Sequence, residues 1–179
     1  MNTIQDGEGL HSLCKKGDFD KVIGHLKKLK GKKLKKIINE QEQETSQALI
    51  HIAIINKHTI LAKALINLKC DIEQEDEVKR TPLLYAARYG DMECFRALLE
   101  AGADVEATDG FCEGIYHLVV ASDSLANVQL LKYMLENKIG SINAINAHGE
   151  SKNNNFITKF LKVNTIFVSQ RKKLASTSA

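Results

Sequence analysis

With 179 residues, 44% apolar and 26% charged, the chain has the length and hydrophobic content of one folded domain. Only 6% are aromatic and none is Trp, which suits a core of small and aliphatic side chains packed between helices. No apolar run approaches the roughly 20 residues of a membrane helix. The opening MNTIQDGEGL lacks the charged start and apolar centre of a secretory leader, so an intracellular location, cytoplasmic or nuclear, is expected.

The net charge of +3 hides an uneven distribution. Residues 1–36 carry ten Lys and four acids, 37–80 five bases and eight acids, 81–150 four bases and ten acids, and 151–179 six bases and no acid. An acidic middle therefore lies between two basic ends, which bears on partners more than the total does.

In chain order, a first unit (about 7–44) opens at Gly9-Leu10-His11-Ser12-Leu13, breaks at Lys16-Gly17-Asp18, and continues with Val22, His25 and Leu26 at helical spacing. Seven of the ten residues 27–36 are lysines: Lys27, Lys28, Lys30, Lys32, Lys33, Lys35 and Lys36. Leu26, Leu29, Leu34, Ile37 and Ile38 keep near-helical spacing through them, predicting a lengthened or broken second helix with a lysine face that caps the end of the molecule. The same run supports an import signal or an anion-binding face. As an anion-binding face it would make the chain a nucleic-acid or anionic-membrane binder by charge alone, although without interleaved aromatics or Arg it has nothing to stack on or read bases with.

After the polar loop 40–46, a second unit (47–79) has Ala48-Leu49 at its start and Lys57 where a glycine would break the helices, predicting looser turns. The third unit (80–112) is the clearest. Thr81 before Pro82 is a helix start, Leu83, Ala86 and Ala87 share a face, Gly90-Asp91 breaks the helix, and Phe95, Leu98 and Leu99 stripe the next, which Gly102 ends. The following Ala-Asp-Val-Glu-Ala-Thr-Asp alternates like one arm of a hairpin. A fourth unit (113–148) starts at Gly114-Ile115, has three extra residues within 121–126, and presents Leu131, Met134 and Leu135. Residues 151–168 read as a degenerate fifth unit or capping helix with Phe156, Phe160, Val163 and Phe167 on one face, or equally as a strand-prone segment rich in β-branched residues that does not dock, and 169–179 as a disordered basic tail.

Sliding the third unit by 33 residues superposes Ala53 on Ala86, Leu65-Ile66 on Leu98-Leu99, and Asp71-Ile72-Glu73 on Asp104-Val105-Glu106. Tyr116 to Val119 superpose in the same way on Leu83 to Ala86. A period of 33, opening on Thr-Pro-Leu-x-x-Ala and closing on Gly-Ala-Asp-Val, resembles the ankyrin repeat over residues 7–150. The resemblance implies an all-α repeat solenoid of about four helix-turn-helix repeats with β-hairpin loops and an imperfect C-terminal cap. It also implies a non-enzymatic, monomeric scaffold for a protein partner.

No phosphate loop, dinucleotide fingerprint or nucleophile elbow is present, so neither catalysis nor a cofactor is expected. His11, His51 and His117 share one repeat position, and the resemblance gives such histidines hydrogen bonds to the adjacent repeat's loop. His11-x-x-Cys14 and Cys112-x4-His117 supply two metal ligands each and no completing pair. Cys14, Cys70, Cys94 and Cys112 form no paired spacing and are expected to be buried free thiols. Asp104, Glu106 and Asp109 are spaced for solvent exposure.

Binding through hairpin tips and the exposed side of the first helix is what the resemblance implies for function. By register this maps to Ile55 and Asn56 in the second repeat, Glu77, Val78, Arg80, Arg88 and Tyr89 in the third, and Gly110, Phe111, Glu113, Ala121 and Ser122 in the fourth. Val78 and Phe111 are apolar where a tip should be wet, and Tyr89 is large for the concave side, although single exposed apolar residues need no special explanation.

More narrowly, 103–110, the relaxed opening at 114–119, the enlarged turn and the extra residue before Ser-Ile-Asn-Ala are similar to repeats of inhibitor-of-κB proteins and their viral relatives. That implies an inhibitor of Rel-type transcription factor dimers. The chain has no Asp-Ser-Gly-x-x-Ser signal and no acidic tail, so such an inhibitor would escape signal-induced destruction.

Overall fold

The computed structural model describes residues 9–122 and 124–141. The predicted capping helix at 151–168, the tail at 169–179 and most of the last hairpin arm lie outside these residues.

Helices come in pairs. The first members are α1 (Leu10–Lys16), α4 (Leu49–Ile55), α6 (Pro82–Tyr89) and α8 (Ile115–Val120); the second are α2 (Phe19–Lys27), α5 (Thr59–Asn67), α7 (Met92–Glu100) and α9 (Leu125–Glu136). Each first helix packs on the next (α1 on α4, α4 on α6, α6 on α8), and the second helices follow in the same order, giving a two-layer stack. Short helices of six to twelve residues cannot hold themselves together in water, so the faces buried between layers carry the stability. Leu13, Leu26, Leu49, Leu65, Leu83, Phe95 and Leu98 are all buried to 2% exposure or less. Leu99, expected beside Leu98 in the core, is only half-buried and packs on the core's edge.

Local chemistry starts and stops the helices. Asp18, Asp91 and Ser124 cap α2, α7 and α9 by accepting backbone N–H bonds from Lys21, Cys94 and Asn127. Thr81 caps α6 from a long 3.5 Å, and Pro82 pre-sets its first turn. The prediction that Lys57 loosens its turn is corrected. Lys57 takes the left-handed φ of +59° that Gly90 takes at +66°, and the same bond forms, His58 N–H to Ala53 O at 2.8 Å against Asp91 N–H to Ala86 O at 3.0 Å. The turn keeps its shape, and the lysine bears the steric cost.

Two insertions depart from the period of 33. The lysine run is a broken helix: α2 ends at Lys27, residues 28–30 link, and α3 (Gly31–Ile38) packs on α2 through Ile37 and Ile38, with Leu29 and Leu34 half-buried. In the fourth repeat the extra residues do not all swell the turn. Leu130, Leu131 and Met134 occupy the places of Cys94, Phe95 and Leu98, a shift of 36, and α9 gains a turn at its start, running 12 residues where α7 runs nine. The arms between repeats form no strand ladder among the described residues; Gln41 pairs with Ala48 in an isolated antiparallel bridge. Tight, carboxylate-held turns take their place.

Candidate binding surface

Two buried aspartates shape the tips. Asp76 Oδ1 accepts the N–H groups of Val78 and Arg80 at 2.9 and 2.8 Å, and one repeat later Asp109 Oδ1 accepts those of Phe111 and Glu113 at 2.9 and 3.0 Å. Each turn then needs a left-handed residue, supplied by Lys79 at φ +60° and Cys112 at +57°. The remaining oxygens are satisfied differently. Asp76 Oδ2 accepts the Tyr85 hydroxyl at 2.6 Å, and Asp109 Oδ2 accepts Arg80 Nε at 3.1 Å. Burial and the Asp76 carboxylate together push the Tyr85 phenol up to about 12, so it stays a donor. The tips touch directly, since Gly110 N–H donates to Val78 O at 2.8 Å.

This geometry sorts the mapped residues. Phe111, 51% exposed, stands at the tip of the fourth repeat, with Glu77 exposed on the third and Val78 and Glu113 half-buried beside them. Arg80 does not present its charge outward: its side chain is 17% exposed and holds the fully buried carboxylate of Asp109. Asp109, expected in solvent with Asp104 and Glu106, is therefore an internal support. Ile55, Asn56, Arg88, Tyr89, Ala121 and Ser122 end the first helices, at the far end from the tips. Of these, Arg88, Asn56 and Ala121 are exposed, and Tyr89 is half-buried with its ring stacked on Tyr85 at 6.2 Å. Between the two ends, residues 49–54, 82–87 and 115–120 are buried. The mapped residues thus form two patches, one at each end of the first helices.

Sequence reasoning missed the feature between the tips. A groove of about 780 Å³ runs past Gly110 and Cys112, on either side of Phe111, and its charged lining is Glu73, Glu75, Asp104, Glu106 and Lys79 beside the buried Asp109. Asp104 N–H donates to Glu73 Oε1 at 2.9 Å, and Asp71 N–H to Asn39 Oδ1 at 2.8 Å, a repeating tie that holds successive arms side by side. The 33-residue offset between Asp71 and Asp104 carries the signal for that tie; the depth of the groove depends on how far each turn stands off its neighbour.

Of the repeat histidines, His51 reaches the next repeat, while the bonds of His11 to Glu40 and of His117 to Gly114 fall within their own units. His51 Nδ1 accepts the Ala48 N–H at 3.1 Å, which puts the proton on Nε2, and that group donates to Arg80 O at 3.2 Å. His11 Nε2 donates to Glu40 O at 2.9 Å, and His117 Nδ1 accepts Gly114 N–H at 3.3 Å. Among the described residues no group of three or more His, Cys, Asp or Glu is placed to hold a metal ion. Cys14, Cys70 and Cys94 are buried, and burial raises all three thiols, Cys14 and Cys70 to about 12. Cys112 departs from the expected burial and is exposed at the tip. All seven lysines of 27–36 are exposed. Among the described residues no helix is long and apolar enough to cross a membrane.

Curated proteins similar to the chain include the palmitoyltransferase AKR1 of Lachancea kluyveri, 29% identical over 70% of this chain and 16% of that protein. The AKR1 of Kluyveromyces lactis is 28% identical over 72% of this chain and again 16% of its own length. Dog inversin is 34% identical over 46% of this chain and 8% of inversin. The chain thus spans less than a fifth of the length of these relatives. A family model described as ankyrin repeats, in three copies, matches residues 10–109. With paired helices stacked in two layers, a period of 33 and a match over more than half its length, the chain belongs to the ankyrin-repeat family.

Proposed function

We propose that the protein is a non-enzymatic scaffold that binds a protein partner at the tips of its third and fourth repeats, taking a basic segment of that partner into the carboxylate-lined groove. Membership of the ankyrin-repeat family supports a protein partner in general terms. The observation that carries the tip reading is Phe111, a large apolar ring left 51% exposed on the turn whose flanking residues Gly110 and Cys112 line a groove with Glu73, Glu75, Asp104 and Glu106. An aromatic anchor beside a polar, charged rim is the usual composition of an interface centre, and the opposite charge of a basic partner would steer its approach. Tyr89 and Arg88 at the far end of α6 form a secondary contact in this reading.

The narrower proposal is a Rel-type transcription factor dimer as that partner, supported by the acidic charge of residues 81–150 and by the resemblance of 103–144 to inhibitor-of-κB repeats. The test is capture from cell lysate on immobilised full-length protein, with nuclease present, read by mass spectrometry. Discrete partners held by the wild type and lost with Phe111→Ala, at an unchanged melting temperature, and with Phe111→Ala plus Tyr89→Ala while the protein stays folded, support the tip reading. Capture indifferent to these changes and to Glu73→Gln with Glu106→Gln rules it out. A Rel-type protein among the partners supports the narrow form, and its failure to bind as a purified dimer excludes that form alone.

A further inference from the structure

The lysines of 27–36 are set apart by their clustering in one short run. Elsewhere Lys15 pairs with Glu42 at 2.7 Å, Lys63 with Glu93 at 3.3 Å and Lys132 with Glu136 at 3.6 Å. Among the described residues, Lys27, Lys28 and Lys30 before α3, and Lys32, Lys33, Lys35 and Lys36 on it, have no acidic partner, and every one is exposed. At 100° per residue the four helical lysines span an arc of roughly 160°, opposite the arc of Leu34, Ile37 and Ile38. That apolar arc is already used, because Ile37 and Ile38 are buried against the stack. The charged arc is consequently fixed in orientation and faces water.

The arrangement also works against the helix it sits on. No acid lies in the first turn of α3, its N-cap Lys30 makes no side-chain cap, and Gly31 enters at φ +55°. Lys32 repels Lys35 and Lys36 at i+3 and i+4, and cations at a helix N-terminus oppose its dipole. The charge repulsion and the dipole term are relieved by an external anion. The composition limits which one. Residues 27–38 contain only Lys, Leu, Gly and Ile, so no Arg, Asn, Gln or aromatic group is present to pair with or stack on a base. Long lysine stems radiating from one convex helix reach a common plane together, whereas a nucleic-acid strand would engage only those along its track.

We infer that this lysine arc docks peripherally on the anionic headgroup surface of a lipid bilayer. The contact is electrostatic, independent of the tip surface at the other end of the stack, and worth about fivefold in binding per lysine. Co-sedimentation of the full-length protein with vesicles of phosphatidylcholine alone, or with added phosphatidylserine, tests it. Binding is expected to the phosphatidylserine vesicles only, and to be lost as salt rises towards about 0.5 M. Lys32→Gln, Lys33→Gln, Lys35→Gln and Lys36→Gln together should weaken it about 600-fold, with the melt unchanged or slightly raised, because these side chains pair with no acid among the described residues and repel one another. A parallel variant, Arg171→Gln with Lys172→Gln and Lys173→Gln, should retain vesicle binding. The proposal is overturned if the α3 variant binds like the wild type, if only the 171–173 variant loses binding, or if the α3 lysines retain duplex DNA or RNA and no vesicles.

Discussion

At the scale of single residues, the tips depend on a few buried polar groups whose hydrogen-bond capacity is filled. Asp109 accepts two backbone N–H groups and Arg80; removing the guanidinium would leave a buried carboxylate one partner short, a loss of about 3 kcal/mol for pairs of this kind. His51 lends itself to a sharper test. It is fully buried, its Nδ1 accepts the Ala48 N–H, and burial lowers its pKa despite the nearby Asp76 carboxylate. Only the neutral ring fits. The unfolded chain, with an ordinary histidine near pH 6.5, therefore takes up a proton more readily than the folded one. Stability from this site is complete above about pH 6.5 and falls as the pH drops below it, by at most about 1.4 kcal/mol per unit. The third repeat has Leu84 in the equivalent place, also buried, so His51→Leu tests the charge with a side chain the fold already accommodates. Urea melts at pH 7.5 and 5.5 should show a smaller pH loss in His51→Leu than in the wild type; equal losses would remove His51 as the cause.

At the scale of elements, repetition made the helices legible but not their junctions. The 33-residue offset paired Leu65 with Leu98, and helical spacing placed Leu26 and Phe95, in the core because burial follows the helical period directly. It could not show that Asp109 is inside while Asp104, five residues earlier, is outside, since that depends on which backbone N–H groups the turn brings to one carboxylate. Nor could it separate three residues added to a turn from three added to the start of α9. Junction glycines show the same dependence. A Cβ at Gly90 would come within 2.7 Å of Asn127 Oδ1 and 2.8 Å of its backbone nitrogen. Asn127 is buried there because its amide nitrogen reaches the carbonyls of Ala87, Arg88 and Val119 at 3.0 to 3.2 Å, closing the ends of α6 and α8. Lys57 takes the same left-handed conformation without glycine's freedom. Opposite results are expected at the two equivalent positions: Lys57→Gly should raise stability by about 1 kcal/mol, and Gly90→Ala should lower it by at least about 2 kcal/mol. Chemical denaturation of both variants checks the pair, and a stabilised Gly90→Ala would mean that the junction is not closed by Asn127.

At the scale of the whole molecule, the main helix packing among the described residues joins each repeat to its neighbours, so stability is spread over a chain of interfaces. The third repeat, nearest to the family pattern, is packed between the second and fourth, and its Leu98 is fully buried. The first repeat packs on a single full neighbour, and its Leu26 is equally buried. Deleting either side chain to alanine removes similar apolar contacts and costs roughly 2–5 kcal/mol locally, but the architecture distributes the cost differently. Loss at Leu26 can be met by releasing α1 to α3 while α4 to α9 stay paired. Loss at Leu98 weakens the interfaces on both sides of α7, and no smaller unit can be released to spare the rest. Native-state hydrogen exchange distinguishes the two. Leu26→Ala should accelerate exchange in α1 to α3 and leave α6 and α7 near wild type, whereas Leu98→Ala should accelerate it from α4 to α9 together. Uniform acceleration in both variants would show that the stack unfolds as one unit, and the nearest-neighbour account would fail. The separation also bears on the two proposed surfaces. If α1 to α3 open apart from the rest, vesicle docking through α3 and partner binding at Phe111 can vary independently in one protein.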